Sequence, residues 1–87
     1  MIIVLKGVLP LHIEAIFGKV LKSLRIRNDL SQDKLAELST LERTFISRIE
    51  RGNSQPSLTT IFELAKALNI KPSELIRMVE LEYESNN

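Results

Sequence analysis

From Ile13 onward, apolar residues recur at three- and four-residue intervals, which confines the chain to packed helices. Ile13, Ile16, Phe17, Val20, Leu21 and Leu24 occupy positions i, i+3, i+4, i+7, i+8 and i+11, one face of an amphipathic helix. Pro10 lies just ahead of this run and Asn28-Asp29 closes it, predicting a first helix over about residues 12–27, with His12 a surface residue at its start. Ser31 is a good N-cap, and Asp33 in the first turn suits the positive helix end. A second helix of about 31–38 follows, with Leu35, Ala36 and Leu38 as its apolar face. Ser39-Thr40-Leu41 interrupts the pattern after two turns. It restarts at Phe45, Ile46 and Ile49, predicting a third helix of about 42–50 that stops at Gly52. Asn53-Ser54-Gln55-Pro56 is a loop by composition. Ser57 caps a fourth helix carrying Leu58, Ile61, Phe62, Leu64, Ala65 and Leu68. Pro72 suits the first position of a fifth helix, carrying Leu75, Ile76, Met78, Val79 and Leu81, although Lys71 is a poor N-cap. The expected architecture is all-α: five helices over 12–83 and a frayed tail at 84–87. An N-terminal arm, residues 1–11, precedes them. Its apolar residues suit an extended arm on the core or on a partner, or a short strand. A lone strand needs a ladder partner, which a copy in a second subunit would supply.

The chain has 87 residues, room for one domain. A domain of this size buries roughly 60–65% of its unfolded surface, so a partner subunit would add useful stability. There is no Cys and a single His, which removes disulfides, thiolate nucleophiles, Cys-based metal sites and multi-His sites. These counts argue against an enzyme, and they imply no cofactor and no metal. Lys6 and Gly7 interrupt the apolar leader, leaving neither a membrane span nor a signal peptide. The expectation is a cytoplasmic protein with no membrane partner. With no second domain to sense a small-molecule effector, its concentration and the arrangement of its sites would set its regulation.

Charge is uneven along the chain. Residues 19–51 carry eight bases against five acids, a net +3, whereas residues 63–84 carry three bases against five acids, a net −2. A basic middle suggests an anion-binding face, although an imbalance this small also fits solvated helix faces. Two short helices joined by a tight turn occupy that middle, a helix-turn-helix arrangement. Ala36 falls where the helices must approach closely. Leu35, Leu41, Ile46 and Ile49 fall where they pack on each other and on the first helix. The opposite face of the second motif helix then carries Arg43, Thr44, Ser47, Arg48 and Arg51. Such a helix can enter the major groove of DNA. There Arg can donate two hydrogen bonds to guanine, and Thr can reach a base edge or a thymine methyl. Arg43, Thr44, Ser47 and Arg48 are the candidate base readers. Arg48 has a competing role, pairing with Glu42 or Glu50 on its own helix. Arg51 suits the DNA backbone or the helix C-terminus better than a base, and Lys19 and Lys22 suit solvent and phosphate equally well.

The segment Leu30-Ser31-Gln32-Asp33-Lys34-Leu35-Ala36-Glu37, then residues 43–52 and Pro56-Ser57-Leu58, strongly resembles the XRE/Cro–CI family of phage and bacterial repressors. The resemblance covers about residues 14–78, with several spaced segments agreeing in order and register. The run Leu41-Glu42-Arg43-Thr44-Phe45-Ile46-Ser47 also looks like the controller proteins of restriction–modification systems, small dimeric transcriptional regulators. The resemblance implies a lambda-repressor-like DNA-binding domain. It implies contacts to the DNA backbone from Gln32 and Phe45 and from the loop residues Asn53, Ser54 and Gln55, and an ion pair between Arg25 and Glu50. Thr40 departs from the family, which often has Gly in this turn. A β-branched residue takes positive φ poorly, so a rearranged turn and a changed angle between the motif helices stay open.

One helix-turn-helix reads too few base pairs for genomic specificity. Two copies on a two-fold axis read a palindrome with half-sites about one helical turn apart. The expected partners are therefore double-stranded operator DNA and a second copy of the chain. Phe62, Leu75, Met78 and Val79 are the expected dimer interface, unless they simply close the monomer core. The alternative function is a protein-interaction module, such as an antitoxin or a coactivator with a helix-turn-helix shape, working through the leader and the fifth helix.

Overall fold

The computed structural model describes residues 12–86, so the arm at 1–11 and its pairing with a second copy lie outside the described residues. Five helices and no strand occur among them: α1 (Ile13–Arg27), α2 (Gln32–Ser39), α3 (Arg43–Glu50), α4 (Leu58–Ala67) and α5 (Pro72–Ser85). The all-α, five-helix expectation therefore holds. Local chemistry sets the helix starts. Ser31 Oγ accepts the Lys34 amide at 3.0 Å, and Ser57 Oγ accepts the Thr60 amide at 3.1 Å. At α5 the Lys71 side chain has no acceptor to offer, and the first turn is closed from the other side. The Glu74 carboxylate accepts the Lys71 amide at 3.3 Å, with Pro72 at the first helical position.

Each of the four connections between helices contains one residue in the left-handed region: Asp29, Thr40, Gly52 and Asn69. Asp, Asn and Gly adopt it at little cost. Thr40 adopts it too, at φ 58° and ψ 28°, so the turn is not rearranged and the backbone follows the path a glycine would take. The Leu41 amide donates to the Ala36 carbonyl at 3.1 Å across this turn and satisfies the end of α2. Thr40→Gly is expected to raise stability by roughly 0.5–1 kcal/mol, as relief of the left-handed strain exceeds the entropy added to the unfolded chain. A higher urea midpoint at unchanged slope would register it.

The core centres on α1, which packs against α3 and α5, while α2 packs against α3 and α4. Leu21, Leu35, Ile46, Ile49, Leu64 and Leu75 are fully enclosed. Leu38 departs from the expected stripe and is exposed. The inward positions of α2 are Leu35, Ala36 and Ser39, spaced i, i+1 and i+4. Ser39 is buried without penalty because its hydroxyl donates to the Leu35 carbonyl at 2.7 Å. Leu58 and Ile76 likewise face outward.

Two of the four expected dimer residues need correction. Leu75 is 0% exposed and Val79 only 6%, because α5 turns both into the core shared with α1 and α4. Neither has surface to offer a second copy. Met78 is half-buried, and Phe62 is 56% exposed. α5 also runs two residues past the expected frayed boundary. Ser85 Oγ and Asn86 Nδ2 donate to the Glu82 carbonyl at 3.0 and 2.7 Å and close the last turn. Lys19 on α1 meets Glu82 on α5 at 2.7 Å, and that hydrogen bond holds the Glu82 carboxyl below its usual range, with help from Asn86.

Candidate nucleic-acid interface

α3 is only two turns long, and its orientation is fixed from three directions. Ile46 and Ile49 are completely buried on its inner side. At its C-terminal end, Gly18 of α1 lies so close that an added Cβ would collide with the Ile49 carbonyl oxygen and stand 2.9 Å from that of Glu50. The third constraint is ionic. Arg25 of α1 grips the Glu50 carboxylate with both arms of its guanidinium, Nε to Oε2 at 2.6 Å and Nη2 to Oε1 at 3.1 Å. Arg25 Nη1 donates to the Leu30 carbonyl at 2.8 Å, and Gln32 Nε2 donates to Glu50 Oε1 at 3.0 Å. The side chains of this pair are 11% and 3% exposed. The hydrogen bond that Arg25 donates to Glu50 holds its guanidinium above its ordinary pKa against desolvation, so Arg25 stays charged. One network thus ties α1, α2 and α3 together, and Gln32, implied as a backbone-contacting residue, is committed to it here.

The outer side of α3 carries polar and basic side chains. Arg43, Thr44, Arg48 and Arg51 are exposed, and Ser47 is half-buried between them. Arg43 opens the helix, where the positive end of the peptide dipole adds to its charge. Its Nε lies 3.3 Å from Asp33 Oδ1 at the start of α2. Arg48 pairs with neither Glu42 nor Glu50. Its Nε donates to Ser54 Oγ at 3.0 Å, and its guanidinium carbon stands 5.6 Å from the centre of the Phe45 ring. Arg51 Nη1 donates to Ser47 Oγ at 2.9 Å. Phe45 is half-buried against the core, while Asn53 and Gln55 are exposed in the loop before α4. The five expected face residues therefore come together on one surface, with Ser54 beside Arg48.

Sequence reasoning missed two contributors. Gly18 signalled itself as a glycine inside a helical pattern, which costs helix stability unless something needs the space. In sequence Asp33 signals only a dipole residue, and tertiary folding brings it to Arg43. Among the described residues no helix is long and apolar enough to cross a membrane, and no cluster of acids or His could hold a metal ion.

The family model described as "Helix-turn-helix" (HTH_3) matches residues 21–75. Control protein C.BamHI from Bacillus amyloliquefaciens is 39% identical over 66 residues, covering 75% of this chain and 82% of its own length. Control protein C.SmaI from Serratia marcescens is 39% identical over 74 residues, covering 85% and 88%. The restriction-modification controller protein C.AhdI from Aeromonas hydrophila superposes with a TM-score of 0.69 at 45% identity, over 71% of this chain and 94% of that one. The wild-type controller protein C.Esp1396I superposes with a TM-score of 0.78 at 26% identity, over 84% and 95%. With the motif helices, the buried inner face of α3 and its exposed basic side all in place, the chain belongs to the HTH_3 (XRE) helix-turn-helix family, as a transcription regulator of the controller-protein type.

Proposed function

We propose that this protein binds a palindromic operator as a cytoplasmic homodimer and thereby regulates transcription in a restriction–modification system, without an enzymatic step or a cofactor. The observation that carries this reading is the outer face of α3. Arg43, Thr44 and Arg48 stand exposed on a helix whose inner face is locked to the core. Bidentate Arg recognition of guanine needs a helix held at a fixed angle in the major groove, and the Arg25–Glu50–Gln32 network supplies that rigidity. Asn53 and Gln55 contact phosphates beside the groove. Palindrome reading requires two copies. Phe62, exposed on α4 beside a concavity lined by Ile70, Lys71 and Pro72, supplies a self-complementary apolar contact, while Met78 lines a separate groove with Lys19, Leu24 and Glu82.

A fluorescence-anisotropy titration tests this reading. The probe is the DNA immediately upstream of the protein's own coding sequence, with a scrambled duplex of equal length beside it, at two salt concentrations. Binding to the upstream DNA should be on the order of 10³-fold tighter or more, and should weaken with salt as phosphate contacts are lost. Arg43→Ala is expected to cost roughly 1–3 kcal/mol of operator binding. Intact binding by Arg43→Ala would sink the recognition-helix assignment in favour of an interaction module.

A further inference from the structure

Of the three exposed arginines on the outer side of α3, Arg51 spends an Nη on Ser47, whereas Arg43 and Arg48 are approached at Nε, the inner nitrogen of the guanidinium. Arg43 meets Asp33 Oδ1 at 3.3 Å in an exposed ion pair, and Arg48 donates a hydrogen bond to Ser54 Oγ at 3.0 Å. Among the described residues no hydrogen bond is donated by an Nη atom of either. A guanidinium carries five N–H donors in a rigid planar fork, and an acceptor at Nε fixes the plane while the terminal amino pair stays open. That pair is the edge that reads guanine O6 and N7. The two supports come from outside α3, Asp33 from the first turn of α2 and Ser54 from the loop before α4. Phe45 adds a third support beneath Arg48.

A carboxylate at Asp33 suits the first turn of α2, yet it carries a cost for DNA binding. It is exposed beside the surface that must approach phosphates, where a negative charge opposes binding to any DNA. That cost is explained if Asp33 orients Arg43, since the opposition falls equally on all sequences and the benefit only on the right one. Ser54 has a parallel explanation, because its hydroxyl is already committed to Arg48 and not held open for phosphate.

We propose that Asp33 and Ser54 are positioning residues that set sequence specificity, holding Arg43 and Arg48 by Nε so that their terminal amino pairs are presented to guanines. This rests on the DNA-binding reading above. The role makes ordering an arginine on the operator cheaper, because the side chain is partly oriented before DNA arrives.

The test is a specificity ratio. Asp33→Asn, Asp33→Glu and Ser54→Ala are titrated against a duplex carrying one palindrome from the upstream DNA, and against its scrambled counterpart. Circular dichroism confirms that each variant is folded. Asp33→Asn should weaken operator binding by 3- to 10-fold while scrambled binding stays level or tightens, so the ratio falls. Asp33→Glu should recover much of the ratio. Ser54→Ala should weaken operator binding several-fold with scrambled binding unchanged. In an Arg43→Ala background, Asp33→Asn should no longer weaken operator binding, because Asp33 acts through that arginine. Equal changes on both duplexes would overturn the proposal, leaving Asp33 a source of net charge and Ser54 a phosphate contact. A persisting Asp33→Asn effect without Arg43 would overturn it as well. A wild-type protein that does not distinguish the duplexes would overturn the DNA-reading role, and the positioning role with it. A wild type that distinguishes them, with variants that keep its ratio, overturns the positioning role alone.

Discussion

Arg25→Ala is expected to lower the stability of this domain by about 3–5 kcal/mol, the cost of leaving a buried partner charge uncompensated. Domains of this kind hold only about 5–15 kcal/mol in total, so a large part of the population would unfold on mild heating. The direction follows from what remains. Glu50 is 3% exposed and would keep a single hydrogen bond, from Gln32, in place of three donors. The Leu30 carbonyl would lose its donor too, at the start of the turn that leads into α2. Urea denaturation reads the effect directly. Arg25→Lys should recover only part of the loss, since one ammonium cannot reach both carboxylate oxygens and the Leu30 carbonyl at once. Changing Arg25 and Glu50 together to apolar residues of similar volume should recover much of it, because the cost lies in the orphaned charge. A loss below about 1 kcal/mol for Arg25→Ala would place this pair with ordinary surface ion pairs.

The second large effect reverses a general rule. Gly→Ala inside a helix ordinarily stabilises by about 1 kcal/mol. At Gly18 it is expected to destabilise by about 2–3 kcal/mol, through overpacking at a backbone crossing. The new methyl would collide with the Ile49 carbonyl oxygen and lie 2.9 Å from that of Glu50, and neither is a side-chain end that can swing away. Relief requires α3 to move off α1. That movement strains the Arg25–Glu50 pair and tilts the basic face, so operator affinity should fall in the fraction that stays folded. Thermal denaturation and the anisotropy titration measure the two consequences separately. A Gly18→Ala protein more stable than wild type would show that α1 and α3 can part at no cost.

The helices were legible because their signals are local. Ser31 and Ser57 cap as their side chains dictate, Gly52 ends α3, and the 3.6-residue repeat assigns most of the core. The basic face was legible for the same reason. Once Ile46 and Ile49 point inward, helix geometry puts Arg43, Ser47 and Arg48 on the other side. The Arg25–Glu50 pair entered only through resemblance, and the structure bears it out.

What misled was also local. Periodicity marks residues that are apolar, not residues that are covered. A two-turn helix offers few inward positions, so Leu38 and Ser39 exchange the places that hydropathy alone assigns. Leu75 and Val79 look the same in sequence whether they face a core or a second copy, and only the docking of α5 on α1 decides. Thr40 shows the limit of backbone propensity: a strain of about 1–2 kcal/mol is tolerated when packing on both sides fixes the turn.

The sequence by itself determined the helix count, the caps, the basic side of α3 and the family, since each depends on residues near one another in the chain. Only the tertiary structure decided how close α1 and α3 come at Gly18, which apolar residues remain exposed, and what holds the arginines. Asp33 meets Arg43 and Ser54 meets Arg48 across turns whose path is set by the packed core, and a distance of about 3 Å between side chains is a property of that packing and not of their spacing in the chain.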